Sequence, residues 1–249
     1  MDWKDISIAI DYHYYLQKGC FFSEYFDTAN ARFAFSCMYK DSLSFIWNHC
    51  FPTSIQEREY KKFVDDAIVL FRDKGRKPAF YLDHRFLNSN FEKFILNNGF
   101  KCLDNEAWMF LSKAAKCKAN RAVSTSLKFK EVETAKELSS FFNICRENFD
   151  EEHSIALTNE YLKKTDKKVQ HFIGRLKDED LAIFSLYSKD GFCTIHNVAV
   201  ANAHQQKGLG NQTLDWLCEL VSQNSDFHTI YLQCDGGGYH ESFYAKEWN

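Results

Sequence analysis

Residues 198–211 of this chain, Val-Ala-Val-Ala-Asn-Ala-His-Gln-Gln-Lys-Gly-Leu-Gly-Asn, constrain its fold more than any other segment. An apolar strand ends there, a short turn containing glycine follows, and an amphipathic helix opens at once. Leu214, Leu217, Leu220 and Val221 recur at helical spacing and predict a helix over 208–223. A second apolar strand follows at 229–234. Strand, helix, strand in this order is a crossover, which makes the two strands parallel neighbours in one sheet. Before it, strands near 169–175, 181–187 and 193–200 are close enough in sequence to pair antiparallel. The expected class is therefore α/β with a mixed sheet. Strand 127–132, a helix around 133–148 and a second helix near 157–166 precede these strands, and a terminal helix begins near Glu241.

The glycine turn also suggests chemistry. The first amides of a helix have no intrahelical acceptor and lie at the positive end of its dipole, so they can hold an anion. Gly208 and Gly210 let that anion approach the main chain, and Lys207 adds charge beside them. A dinucleotide fingerprint does not fit, because Thr213 occupies its third glycine position and no acidic residue ends a strand at the required distance. No Walker loop is present.

The first part of the chain has a related pattern. Ile46 and Asn48 precede Ile195 and Asn197 by 149 residues, and at the same offset Gln56 falls on Gln205. A strand over 43–51 leads into helical spacing at Tyr60, Phe63, Val64, Ala67, Ile68 and Phe71. Strand 79–83, a short helix with Phe91, Phe94 and Ile95, and a strand from Glu106 to Leu111 follow. Residues 114–126 read as a linker, which divides the chain into domains 1–118 and 119–249. At the offset of 149, Glu59 and Lys61 stand where the second copy has Gly208 and Gly210. The first copy is thus expected to be degenerate, with a carboxylate where an anion would sit.

Composition removes other classes. Residues of the AVILMFWYC set make up 45% and charged residues 26%, which excludes disorder and collagen-like repeats. No apolar run reaches the ~20 residues of a membrane helix, and the opening residues lack the pattern of a signal peptide. A cytoplasmic protein that neither spans a membrane nor binds one is expected. Nine cysteines without a C-x-x-C spacing predict reduced thiols and no metal site. The net charge of −3 argues against nucleic acid. Residues 1–118 hold 17 basic and 15 acidic side chains, and the remainder 14 and 19, so a charged substrate of the second part should be a cation.

Gln205-x-x-Gly208-x-Gly210 after Val198-Ala199-Val200 resembles the acyl-CoA signature of the GNAT superfamily of N-acyltransferases, and the likeness extends over about residues 127–249. It implies two GNAT-like mixed-sheet halves, the second carrying the pyrophosphate loop on its crossover. It further implies transfer of an acetyl or short acyl group from acetyl-CoA or another acyl-CoA to a primary amine, by direct attack in a ternary complex. The resemblance assigns the cofactor to Val198, Ala199, Val200, Gln205, Gln206, Lys207, Gly208, Leu209, Gly210 and Asn211. The Val198 or Ala199 N–H would polarise the thioester. It places Tyr244 as the acid for the leaving thiolate, His196 as the base, and Glu151 and Glu152 beside the amine. Each of these four also has a structural reading: a tyrosine packed on the sheet, a strand histidine, a solvated acidic turn.

The acceptor would be a small-molecule or peptide amine, and the protein a monomer or homodimer. Departures from the family are Gly237, where an asparagine is common, and Trp248-Asn249 in place of Gly-Phe. The second copy also lacks the family's last two strands; a strand within Phe100–Ser112 is expected to cover the exposed edge, with truncation of the natural protein as the rival explanation. A non-catalytic acyl-CoA-binding or protein-interaction module is the alternative function.

Overall fold

The structure is a computed structural model that describes residues 23–24, 34–38, 45, 48–52, 54–111, 127–149, 169–189 and 191–248. The expected linker at 114–126, the helix near 157–166 and the turn with Glu151 and Glu152 lie outside the described residues. The chain divides into two compact units, residues 2–103 and 104–249. The division falls before the strand at 106–111, whereas the sequence reading set it after residue 118.

In the first unit, β1 (Ser23–Glu24), β2 (Ala34–Met38) and β3 (Asn48–Pro52) form an antiparallel sheet. Helix α1 (Tyr60–Asp73) follows and buries Phe63, Val64, Ala67 and Phe71, the face its spacing predicts. Helix α2 (Asn90–Asn97) starts at Ser89, whose hydroxyl accepts from the Glu92 N–H at 3.1 Å. Phe80, Phe86 and Phe91 complete an aromatic core with Phe63. The strand expected at 79–83 is reduced to one parallel bridge between Phe80 and Cys50. Two backbone bonds hold it, Cys50 N–H to the Ala79 carbonyl and Tyr81 N–H to the Cys50 carbonyl. Pairing then stops, because Asp83 turns the chain by accepting from the Arg85 backbone N–H and guanidinium. The strand expected from residue 43 begins at Asn48, whose N–H bonds back to Phe45 in a turn.

The second unit is built on six strands: β4 (Glu106–Leu111), β5 (Lys128–Glu131), β6 (Val169–Leu176), β7 (Glu179–Lys189), β8 (Phe192–Val200) and β9 (Thr229–Asp235). Their order is β4-β9-β8-β7-β6-β5, and every pairing is antiparallel except β8 with β9. That parallel pair is joined by α4 (Leu209–Gln223), as the crossover requires. Helix α3 (Ala135–Phe149) begins with a capping box in which Thr134 accepts the Glu137 N–H and Glu137 accepts the Thr134 N–H. Helix α5 (Tyr239–Trp248) ends the described chain.

Strand alternation divides the core in two. Ile173, Ile183 and Ala199 point to one face and meet Leu138, Phe141, Ile144 and Cys145 of α3. Phe172, Phe184, Leu186 and Ile195 point to the other and meet Leu214, Leu217 and Val221 of α4. Each buried Leu, Ile, Val or Phe among them contributes about 1.5–3 kcal/mol, so both helices are fixed to the sheet by packing rather than by propensity. The edge of β9 is covered: β4 pairs with it from Glu106↔Asp235 to Leu111↔Ile230, and Trp108 stacks on Tyr231 at 5.3 Å. Among the described residues no helix is long and apolar enough to cross a membrane, and no cluster of His, Cys, Asp or Glu could hold a metal ion.

Candidate functional site

The site is a gap in the sheet. β8 and β9 pair in parallel only from Phe192↔Thr229 to Ile195↔Leu232, although β8 runs on to Val200 and β9 to Asp235. A β-bulge starts the divergence. On β7, Ser185 faces His196 and Ile183 faces Ala199, so Phe184 is opposed by both Asn197 and Val198. Asn197 takes the extra turn at φ 55°, a conformation asparagine tolerates, and its Nδ2 donates to Ser185 Oγ at 3.1 Å.

Past the bulge, the Ala201 N–H bonds the Leu181 carbonyl at 2.9 Å. Antiparallel alternation then hands the Ala199 N–H to β7 and turns those of Val198 and Val200 toward the gap. The Val200 carbonyl receives the side-chain amides of Asn148 at 3.2 Å and Gln205 at 3.3 Å.

A rigid loop closes the end of the gap. Asn202 donates its backbone N–H to the Glu147 carboxylate and its Nδ2 to the Glu147 carbonyl, each at 3.1 Å. The Gln205 amide is shared among Asn148, Asn202 and Val200, so its side chain fastens the loop to the end of α3. Lys207 Nζ folds back to the Ala203 carbonyl at 2.8 Å.

Next come two residues in the left-handed region, Gln206 at φ 59° and Gly208 at φ 80°. Gly208 is the N-cap of α4 and has no side chain to cap it, and the first intrahelical bond runs from the Gln212 N–H to the Gly208 carbonyl at 3.3 Å. The amides of Leu209, Gly210 and Asn211 precede that bond and have no intrahelical acceptor. A Cβ built on Gly208 meets nothing within 4 Å, so its surroundings are open. Such a row, or nest, of N–H groups at the positive end of a 15-residue helix can hold an anion.

One sheet face beside the bulge is polar, a feature the sequence reading missed apart from His196. His171 Nδ1 lies 2.7 Å from Ser185 Oγ and its ring packs on Phe141 at 4.5 Å. Thr194 Oγ1 lies 3.2 Å from His196 Nε2, and the Tyr187 ring meets His196 edge-on at 4.8 Å. These residues come from three strands, so only period-two alternation in all three could have grouped them. Loss of hydration pushes the His196 imidazole down to about 4, which keeps it neutral near pH 7.

Tyr244 of α5 is 7% exposed and belongs to the core packed by α4. Burial and then the neighbouring Cys234 thiol raise its phenol above the usual range. Burial pushes the Cys193 thiol up to about 12 and, with acidic neighbours, Cys234 up to about 11. Neither supplies a thiolate near neutral pH. The Gly237 N–H is taken by the Glu241 carboxylate at 2.6 Å.

Residues 135–246 match the model of the acetyltransferase (GNAT) family. Among solved structures, the chain is similar to a GCN5-related N-acetyltransferase from Kribbella flavida. The TM-score is 0.65 and the identity 11%, over 86% of this chain and 81% of that one. It is also similar to a functionally unknown conserved protein from Staphylococcus epidermidis, with a TM-score of 0.62 and 10% identity over 93% and 91%. The likeness to both is one of fold. No curated protein sequence matches the chain.

Proposed function

We propose that residues 104–249 bind an acyl-CoA, with acetyl-CoA as the reference ligand, and transfer its acyl group to a primary amine. The observation that carries this reading is the uncapped start of α4 at the mouth of the gap between β8 and β9. The amides of Gln206 through Asn211 would receive the pyrophosphate. The main chain of Val198 and Val200 would bond the pantetheine arm in strand fashion, with the Val198 N–H kept for the thioester carbonyl. Of the two oxyanion donors expected from the sequence, Val198 suits the role, because alternation commits the Ala199 N–H to β7. Gln205 and Lys207 support the nest from outside, through the loop's own bonds.

In the transfer the amine nitrogen forms a bond to the acyl carbon as the carbon–sulfur bond breaks. An ammonium substrate and an acyl thioester thus give an amide, a thiol and one proton. Burial keeps the His196 imidazole neutral, the form in which a ring nitrogen can accept a hydrogen bond from the attacking amine. Tyr244, with its phenol held protonated, is the donor for the sulfur as charge develops there. Glu151 and Glu152 remain the proposed attraction for a cationic acceptor, a small molecule or a peptide.

The test is release of CoA thiol from acetyl-CoA across a panel of primary amines. Turnover with at least one amine, reduced ten-fold or more in Tyr244→Phe, is the expected outcome. Acetyl-CoA binding without thiol release, and with Tyr244→Phe indistinguishable from the parent, would favour the non-catalytic binding module. The burial of Tyr244 among core residues is the observation on that side.

A further inference from the structure

Of the large apolar side chains exposed among the described residues, Tyr239 is the most exposed at 76%. It stands at the first position of α5, where a bulky ring gains nothing from the core. Its ring is nearly parallel to that of Phe243, at 14° and 6.0 Å between centroids. Phe243 in turn reaches the anion nest, for its Cζ would lie 3.7 Å from a Cβ placed on Gly210. A nearly parallel aromatic pair therefore runs from the nest to solvent, and Tyr239, which meets His240 edge-on at 5.7 Å, keeps most of its surface exposed.

We infer that this pair is a shelf for the purine of the nucleotide whose diphosphate occupies the nest. The inference rests on the acyl-CoA reading and deepens it. Every purine has a π-face, and stacking on an aromatic side chain is a general way to hold a base without reading its edges. The charges around the shelf select the base over the nucleotide's other parts. Asp235 pairs with His240 at 3.5 Å and its side chain is 73% exposed, and the Glu241 carboxylate is bound to the Gly237 N–H beside it. A ribose phosphate would meet two carboxylates there, whereas a neutral ring system would not. The shelf thus contributes affinity for adenosine and leaves the 3′-phosphate in solvent.

Calorimetry on the full chain with three probes tests this: acetyl-CoA, acetyl-3′-dephospho-CoA and S-acetyl-4′-phosphopantetheine, which lacks the nucleoside. Tyr239→Ala should weaken the first two about tenfold and leave the third unchanged, while Tyr239→Trp should bind all three as the parent does. The thermal midpoint of each variant serves as the check that it folds. If Tyr239→Ala binds acetyl-CoA as the parent does, or loses phosphopantetheine equally, the shelf is wrong and the acyl-CoA reading stands. If the parent protein binds none of the three probes, that reading falls and the shelf with it.

Discussion

At residues 56–60 and again at residues 205–209 the chain leaves a strand region and enters an amphipathic helix that leads to a parallel partner, yet the two helix starts have opposite character. In the first unit Glu59 is itself the N-cap position of α1, and its carboxylate accepts the Gln56 N–H at 3.3 Å. The chain's own negative charge sits where an external anion would go. In the second unit the N-cap is Gly208, with nothing near it and no side chain bonded to the amides that follow. The strands differ in the same sense. β3 pairs with β2 at all five residues without interruption, Asn48 included, while Asn197 breaks the register of β8 and starts its divergence from β9. Among the described residues, the start of α4 combines the two absences that the proposed anion site needs, of an internal cap and of a strand beside it on the β9 side.

The strongest way to break this contrast is to give the second helix the carboxylate of the first. Gly208→Glu should weaken acetyl-CoA binding by about 2 kcal/mol or more, roughly thirty-fold, in calorimetry. Gly208→Ala, equally strained at φ 80° and uncharged, should retain most of it. Unchanged affinity in Gly208→Glu would show that the nest does not hold the diphosphate.

A second contrast concerns His196, which has Trp47 in the sequence at the same offset of 149 residues. The His196 pKa is lower folded than unfolded, so the unfolded chain binds more protons as pH falls from about 6.5 toward about 4. Stability should therefore be present above about 6.5 and decline through that window, by on the order of 2 kcal/mol after allowance for partial exposure. Denaturant unfolding at pH 7 and pH 4.5 should show a smaller decline in His196→Gln than in the parent. Equal declines would mean that the imidazole titrates normally.

A smaller effect is expected at the bulge. Asn197→Val places a β-branched residue at φ 55° and should lose about 1–2 kcal/mol of stability along with acetyl-CoA affinity, whereas Asn197→Gly should keep both. The smallest effect belongs to the first unit. Glu59→Gln removes a charge from the start of α1 and should lower stability by about 0.5 kcal/mol, seen as a small shift in thermal midpoint, with acetyl-CoA affinity unaltered.

Much of this contrast is legible in the sequence. The spacing of Leu214, Leu217 and Val221 predicts α4 to within a residue of its observed start, and Glu59 in place of Gly208 already marks one helix start as closed. The strand at 106–111 is legible as well, and it pairs with β9 along its whole length. The role of Gln205 was less legible. Its place in the motif suggests a ligand contact, but its amide turns to Asn148, Asn202 and Val200. The polar face of His171, Ser185 and Thr194 was not seen at all, nor was the stack of Tyr239 on Phe243 beside Gly210.

The sequence by itself determined the elements and their order, because period and propensity act over a few neighbouring residues. It also determined which helix start could accept an anion, since that depends on one side chain at the N-cap. The tertiary structure decided where β8 leaves β9, which amides face the gap and which side chains share a sheet face. Those outcomes follow from register between strands, and register is set by packing among residues far apart in the chain.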